Sequence, residues 1–221
     1  MKGYIYISLI VSCCAFATNE ITSKLLSTEA LAEIERTYSQ SAVERINKWL
    51  DFLKRSKHQS QWQKVALVND FFNQTIAYQT DSQLWGKEDY WATPIETLAQ
   101  GAGDCEDFAI AKYFSLLALG VTEDKIRLTY VRQLNVNEPH MVISYLEAPN
   151  DVPFILDNFN TELLPATMRT DIKPIYSFNG QGLWLAKAKG LGKKLNNNKG
   201  FSNWNMMLER IEHHHVTNAS E

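Results

Sequence analysis

Cysteine is scarce in this 221-residue chain, and its placement matters more than its number. Of three cysteines, Cys13 and Cys14 fall within the first seventeen residues and only Cys105 lies in the interior. Removal of the N-terminal segment would leave one thiol and exclude an internal disulfide. A surplus of positive charge is also missing. Lys and Arg total 22 against 25 Asp and Glu, for a net charge of −3 and a pI near 6.0. That balance excludes the basic, aromatic-interleaved surface expected of a nucleic-acid binder. No apolar run approaches the about 20 residues a membrane-spanning helix needs. No internal repeat and no EF-hand loop are visible. Histidine is limited to five residues, four of them being His58 in a polar stretch and His213-His214-His215 near the end. Consecutive histidines on a terminus seldom build a closed metal site, so they are assigned no function. His140 stands alone.

What is present suits one core of ordinary size. The chain is 45% hydrophobic and carries 6 Trp, 9 Tyr and 10 Phe, enough for a substantial core or an aromatic-lined groove. Lys2, an apolar run from about Tyr4 to Phe16, and Ala15-Phe16-Ala17 read as a signal peptide over residues 1–17. Cleavage there removes Lys2, leaving 21 basic and 25 acidic residues and a net charge of −4. Ile10-Val11-Ser12-Cys13 also resembles a lipoprotein signal that would acylate Cys13; the short apolar stretch ahead of it favours simple cleavage. Residues 18–221 are then one domain of an exported protein.

Helices come first and strands second, the order of an α+β fold. Leu31, Ile34, Tyr38, Val43, Ile46, Leu50 and Leu53 recur at helical spacing from Thr28 to about Lys54, with a break near Ser39-Gln40-Ser41. Gln61 to Ile76 repeats the pattern. Tyr78 to Pro94 has no period and holds Trp85, Tyr90 and Trp91; it reads as a long loop lining a cleft. Strands are expected near Ile126 to Arg132, His140 to Glu147, Pro153 to Asp157, Lys173 to Phe178 and Gly182 to Ala186. After Ala186, Lys187, Lys189, Lys193, Lys194 and Lys199 alternate with Gly190, Gly192, Gly200 and Asn196-Asn197-Asn198, which marks a mobile basic loop. A solvated surface is its default, and docking of an acidic partner the other reading. Ser202 then looks like the cap of a short final helix with Trp204, Met207, Leu208 and Ile211 inward.

The most informative stretch is Gly101-Ala102-Gly103-Asp104-Cys105-Glu106-Asp107-Phe108. Asp104 reads as an N-cap and Asp107 answers it three residues on, so Cys105 opens an apolar helix that should stop at Leu119-Gly120. Free N–H groups at a helix start favour thiolate, and the thiolate is the nucleophile. Pro139 to Tyr145 alternates like a strand with His140, Val142 and Ser144 on one face, and Phe154 to Leu156 ends on Asp157. A nucleophile, a base and a group to orient the base are the parts of covalent acyl transfer. Cys105, His140 and Asp157 supply them in that order.

Helix-Cys, strand-His, strand-Asp resembles the transglutaminase-like arrangement of the papain-like cysteine enzymes. Tyr90-Trp91-Ala92-Thr93-Pro94, Gly103-Asp104-Cys105-Glu106-Asp107-Phe108-Ala109, His140-Met141-Val142, Leu156-Asp157-Asn158 and Pro174-Ile175-Tyr176-Ser177-Phe178-Asn179 narrow it to the bacterial transglutaminase-like cysteine proteinases, in their LapG-like branch. The resemblance runs from about Trp62 to Trp184. It implies N-terminal helices and a central Cys-bearing helix packed on an antiparallel sheet. It also implies a periplasmic protease that cuts the N-terminal region of a large surface adhesin at a small-residue sequence such as Ala-Ala, promoting biofilm dispersal. An inner-membrane cyclic-di-GMP receptor of the LapD type is the implied inhibitor.

Asp104, Glu106 and Asp107 set up to three negative charges within a turn of a thiol that must itself become an anion, and like charges raise its pKa. Either they point into solvent or a cation neutralises them. Carboxylate oxygens are the hard ligands Ca²⁺ prefers. The resemblance implies calcium at Asp104 and Glu106, with Asp107 as a third ligand. The same triad also serves transglutaminase or amidase chemistry on side-chain amides, and a non-catalytic binding module is a third reading.

Overall fold

A computed structural model describes residues 28–187, 189–190, 192–195 and 202–216. The signal-peptide and Cys13 readings lie outside the described residues, as do Asn196-Asn197-Asn198 and Lys199. Helix α1 (Thr28–Thr37) and α2 (Gln40–Ser56) are separated at Ser39, whose side chain accepts from the Ala42 amide. The expected break is therefore an N-cap, which satisfies an otherwise orphaned helix donor. Helix α3 (Gln61–Thr75) opens on a Ser60–Gln63 capping box. Strand β1 (Ala77–Tyr78) and the one-turn helix α4 (Asp81–Leu84) follow.

The stretch predicted as loop is thus shorter than expected, and it leads into an unexpected helix, α5 (Pro94–Gln100). Thr93 caps α5, Pro94 sits at its start, and Gly101 ends it in the left-handed region at φ 71°. Strand β2 (Ala102–Gly103) pairs in parallel with β1. Gly103 has to be glycine, because a Cβ there would stand 2.7 Å from Cβ of Asp107.

Helix α6 (Cys105–Ala118) buries Phe108, Ala109, Ile110, Ala111, Tyr113, Ser115 and Leu116. Burial on nearly every side identifies a central helix rather than a surface one. It stops, as expected, at Leu119, with Gly120 at φ 81°. Strands β3 (Ile126–Gln133), β4 (Glu138–Tyr145), β5 (Phe154–Leu156), β6 (Leu164–Pro165), β7 (Ile172–Asn179), β8 (Gly182–Leu185) and β9 (Lys194–Leu195) form one antiparallel sheet in the order β6-β5-β4-β3-β7-β8-β9. Part of the predicted basic loop is therefore strand. Lys194 lies opposite Trp184, with its ammonium bonded to the Gln181 carbonyl and over the Trp184 ring. Helix α7 (Ser202–Val216) is longer than the short helix expected and packs Trp204 and Met207 into the core.

The helices cover one face of the sheet. Met141, Ile143 and Tyr145 of β4 join Ile46, Val65, Phe72, Ile110 and Leu116 in the main core. The alternate residue Val142 joins Val131, Ile155 and Ile172 in a smaller cluster, which alternation places on the other face. Complete burial of one such side chain contributes about 1.5–3 kcal/mol. No helix among the described residues is long and apolar enough to cross a membrane.

Candidate active site

The site forms where the sheet runs out of strand. β5 begins opposite Tyr145 and ends with Leu156 opposite Ile143, so the first half of β4 has no strand on that side. In place of a neighbouring strand, the Met141 backbone amide favours the thiolate of Cys105 at the start of α6. One residue earlier on β4, His140 is 1% exposed and its Nε2 lies 2.8 Å from Oδ1 of Asp157. His140 Nδ1 is buried with no hydrogen-bond partner among the described residues. The structure therefore joins two of the three sequence-predicted residues, His140 and Asp157, directly, and sets the third, Cys105, at the start of α6, the helix that packs on β4.

Asp157 is over-determined. Its Oδ1 also accepts the Phe159 amide at 3.0 Å, and its Oδ2 accepts Arg169 Nη2 at 2.7 Å. Burial alone would raise this carboxyl. The hydrogen bond and charge of His140, the Phe159 amide and Arg169 outweigh that and hold it at about 2. The backbone is fixed as well: the Asp157 carbonyl accepts Asn73 Nδ2 at 2.8 Å and the buried Lys112 ammonium at 3.0 Å. Lys112 completes its donors on Asn69 and Asn73, and burial lowers it to about 7. Phe159 lays its ring over the imidazole, centroids 4.8 Å apart, and its other neighbour is Tyr78 at 5.1 Å.

The thiol sits in opposite surroundings. Cys105 Sγ donates to Glu106 at 3.0 Å, and the thiol is pushed well up by burial first, then by the Glu106 charge and hydrogen bond and by Asp104. Asp104 is raised to about 9 by burial and by Glu106, Asp81 and Asp89. Asp107 is fully buried and also raised, yet both its oxygens work: Oδ1 accepts the Ala92 amide at 2.8 Å and Oδ2 the Asp104 amide at 3.3 Å. It anchors the preceding loop to the helix start.

Two members of this acidic group had no signal in the sequence. Asp81 on α4 is 2% exposed, and Asp89 lies in the loop after it. Ligand atoms of Asp81, Asp104 and Asp107 lie within 4.8 Å of one another, as do those of Asp81, Asp89 and Glu106. Asp81 Oδ1 and Asp104 Oδ1 are buried without a hydrogen-bond partner among the described residues. Unpaired buried carboxylate oxygens are costly, and an all-oxygen donor set fits a hard divalent cation. The loop between them is held from outside: Asn203 of α7 donates to Asp89 at 2.7 Å, and Arg210 donates to the Trp91 carbonyl and stacks on Tyr90. Trp91, partly buried, packs against the core on Phe178.

Comparison with known proteins agrees with this geometry. The family described as bacterial transglutaminase-like cysteine proteinase BTLCP matches residues 31–177. The chain belongs to that family. It is a cysteine protease with a transglutaminase-like fold. Legionella pneumophila LapG, solved EGTA-treated and calcium-bound, is 38% identical, with TM-scores of 0.71 and 0.70; each alignment covers 84% of this chain, and 98% and 99% of those chains. No curated protein matches the chain.

Proposed function

We propose that the protein is a calcium-dependent periplasmic endopeptidase that cuts the N-terminal region of a large surface adhesin and so releases it. The observation that carries this reading is the pairing of Cys105 with two kinds of carboxylate: Asp157, whose two oxygens are both taken by donors, and the Asp81–Asp89–Asp104–Glu106 group, in which Asp81 Oδ1 and Asp104 Oδ1 have no hydrogen-bond partner among the described residues. His140 takes the Cys105 proton on the nitrogen not committed to Asp157, the thiolate attacks a peptide carbonyl, and water hydrolyses the acyl-enzyme. Asp157 orients the imidazole and stabilises its charged form. The Cys105 amide, at the start of α6, is one donor to the oxyanion. Bound Ca²⁺ would cancel the negative charge that now opposes thiolate formation. Asp81, Asp89, Asp104 and Glu106 are the residues that would hold it, with Asp107 closing the group from behind. LapG of L. pneumophila having been solved both calcium-bound and EGTA-treated supports the same reading. Control by sequestration on an inner-membrane cyclic-di-GMP receptor of the LapD type belongs to this proposal.

The test is incubation of the purified protein with adhesin N-terminal fragments, in calcium and in excess chelator. Cleavage in calcium alone is expected. Joining of an added amine to substrate glutamines, with no chain cut, would replace this reading with transglutaminase chemistry.

A further inference from the structure

We propose that Arg169 is a positioning residue of the active site, clamped from the solvent side by Asp171 so that it fixes the Asp157 carboxylate in the orientation that serves His140. The proposal rests on Cys105, His140 and Asp157 acting as the protease triad.

Arg169 follows a short turn at Ala166–Met168, twelve residues after Asp157, and its side chain is 1% exposed. Its guanidinium is loaded along one edge. Nε and Nη2 reach Oδ1 and Oδ2 of Asp171 at 2.8 and 2.7 Å, and Nη2 reaches Oδ2 of Asp157 at 2.7 Å. The two-point grip of Asp171 sets the plane of the guanidinium, and that plane sets where Nη2 meets Asp157. Asp157 then has one oxygen for Arg169 and the other for His140 and the Phe159 amide. Rotation of the carboxylate would break bonds on both sides at once. The chain of contacts runs from half-exposed Asp171 through Arg169 and Asp157 to the imidazole.

A purely structural ion pair would need only charge compensation, which other orientations of Asp157 would satisfy. A positioning role needs this one. Lysine would keep the charge but lose the planar fork, so charge and geometry are separable by substitution.

The experiment compares wild type with Arg169→Met, Arg169→Lys and Asp171→Asn in the calcium-loaded protein. Two quantities are read: kcat and KM on an adhesin fragment, and the NMR signal of the His140 Nε2 proton shared with Asp157. Arg169→Met should lower kcat about 10- to 100-fold, the size expected of a misplaced catalytic group, with KM unchanged. The shielded Nε2 proton signal should be lost. Arg169→Lys should recover part of kcat. Asp171→Asn changes the solvent end of the chain, leaves the buried pair in place and should lower kcat by a smaller factor while weakening the same signal. Wild-type kcat and an intact Nε2 signal in folded Arg169→Met would overturn the proposal; if that variant does not fold, the same result in Asp171→Asn does so. The NMR arm needs no substrate, so it decides on Arg169 even if the protease reading fails.

Discussion

Asp157 and Asp104 belong to the same site, and burial pushes both carboxyls upward, yet one titrates at about 2 and the other at about 9. The difference lies in the company each keeps. Around Asp157 stand His140, Arg169 and a backbone amide, all donors. Around Asp104 stand Glu106, Asp81 and Asp89, all carboxylates. One half of the site is complete from the chain's own donors. The other half gathers carboxyls beside a thiol that must become negative, and the proposed calcium would offset their charge. The two halves meet at Cys105.

The severest way to break the comparison is to remove the point where its halves meet. Cys105→Ala should leave a folded, calcium-binding protein whose cleavage rate is down at least about 1,000-fold, checked by gel assay alongside calorimetric calcium titration. His140→Ala should be comparably inactive. Next comes the acidic half. Asp104→Ala or Glu106→Ala should reproduce the effect of chelator even with calcium present. Asp81→Asn should weaken calcium affinity about 10-fold or more, since it removes a buried oxygen with no other partner. Unchanged affinity in Asp81→Asn would remove Asp81 from the ligand set.

The compensated half responds less severely. Asp157→Asn keeps shape but exchanges an acceptor for a donor, and kcat should fall about 10- to 1,000-fold without reaching zero. The smallest effects are on stability, and here the halves differ in sign. Asp157 titrates below its unfolded value of about 3.9, so its contribution is present above pH 4 and is lost as pH falls toward 2; it amounts to about 2–3 kcal/mol. Asp104 titrates above its unfolded value, so the calcium-free protein should lose stability as pH rises from about 4 toward 9, and calcium should abolish that loss. Thermal unfolding of wild type and Asp157→Asn across that range, with and without calcium, reads both slopes.

Chain order carried much of this site, and through-space packing carried the rest. Cys105, His140 and Asp157 were legible because each sits at the end of an element whose periodicity or capping pattern is local. Asp104 and Glu106 were legible as neighbours of the nucleophile. Asp81 and Asp89 lie in a stretch without period, and only the β1–β2 pairing and α5 bring that stretch against the start of α6. Arg169 lies among loop residues and gains meaning only from the turn that aims it at Asp157. Helix α5 was readable and missed: Thr93 with Glu96 is a capping box, Pro94 is a favoured first residue and Gly101 a favoured stop. The strand at Lys194–Leu195 could not be read from a Lys- and Gly-rich stretch, because its partner Trp184 supplies the reason for it.

The central claim is that calcium at the acidic group governs the reactivity of Cys105. The rate of Cys105 alkylation against pH, measured with calcium and in excess chelator, tests it without any substrate. The account predicts that chelation moves the profile to higher pH as proteolysis is lost. An identical profile in both conditions, with activity retained in chelator, would contradict it.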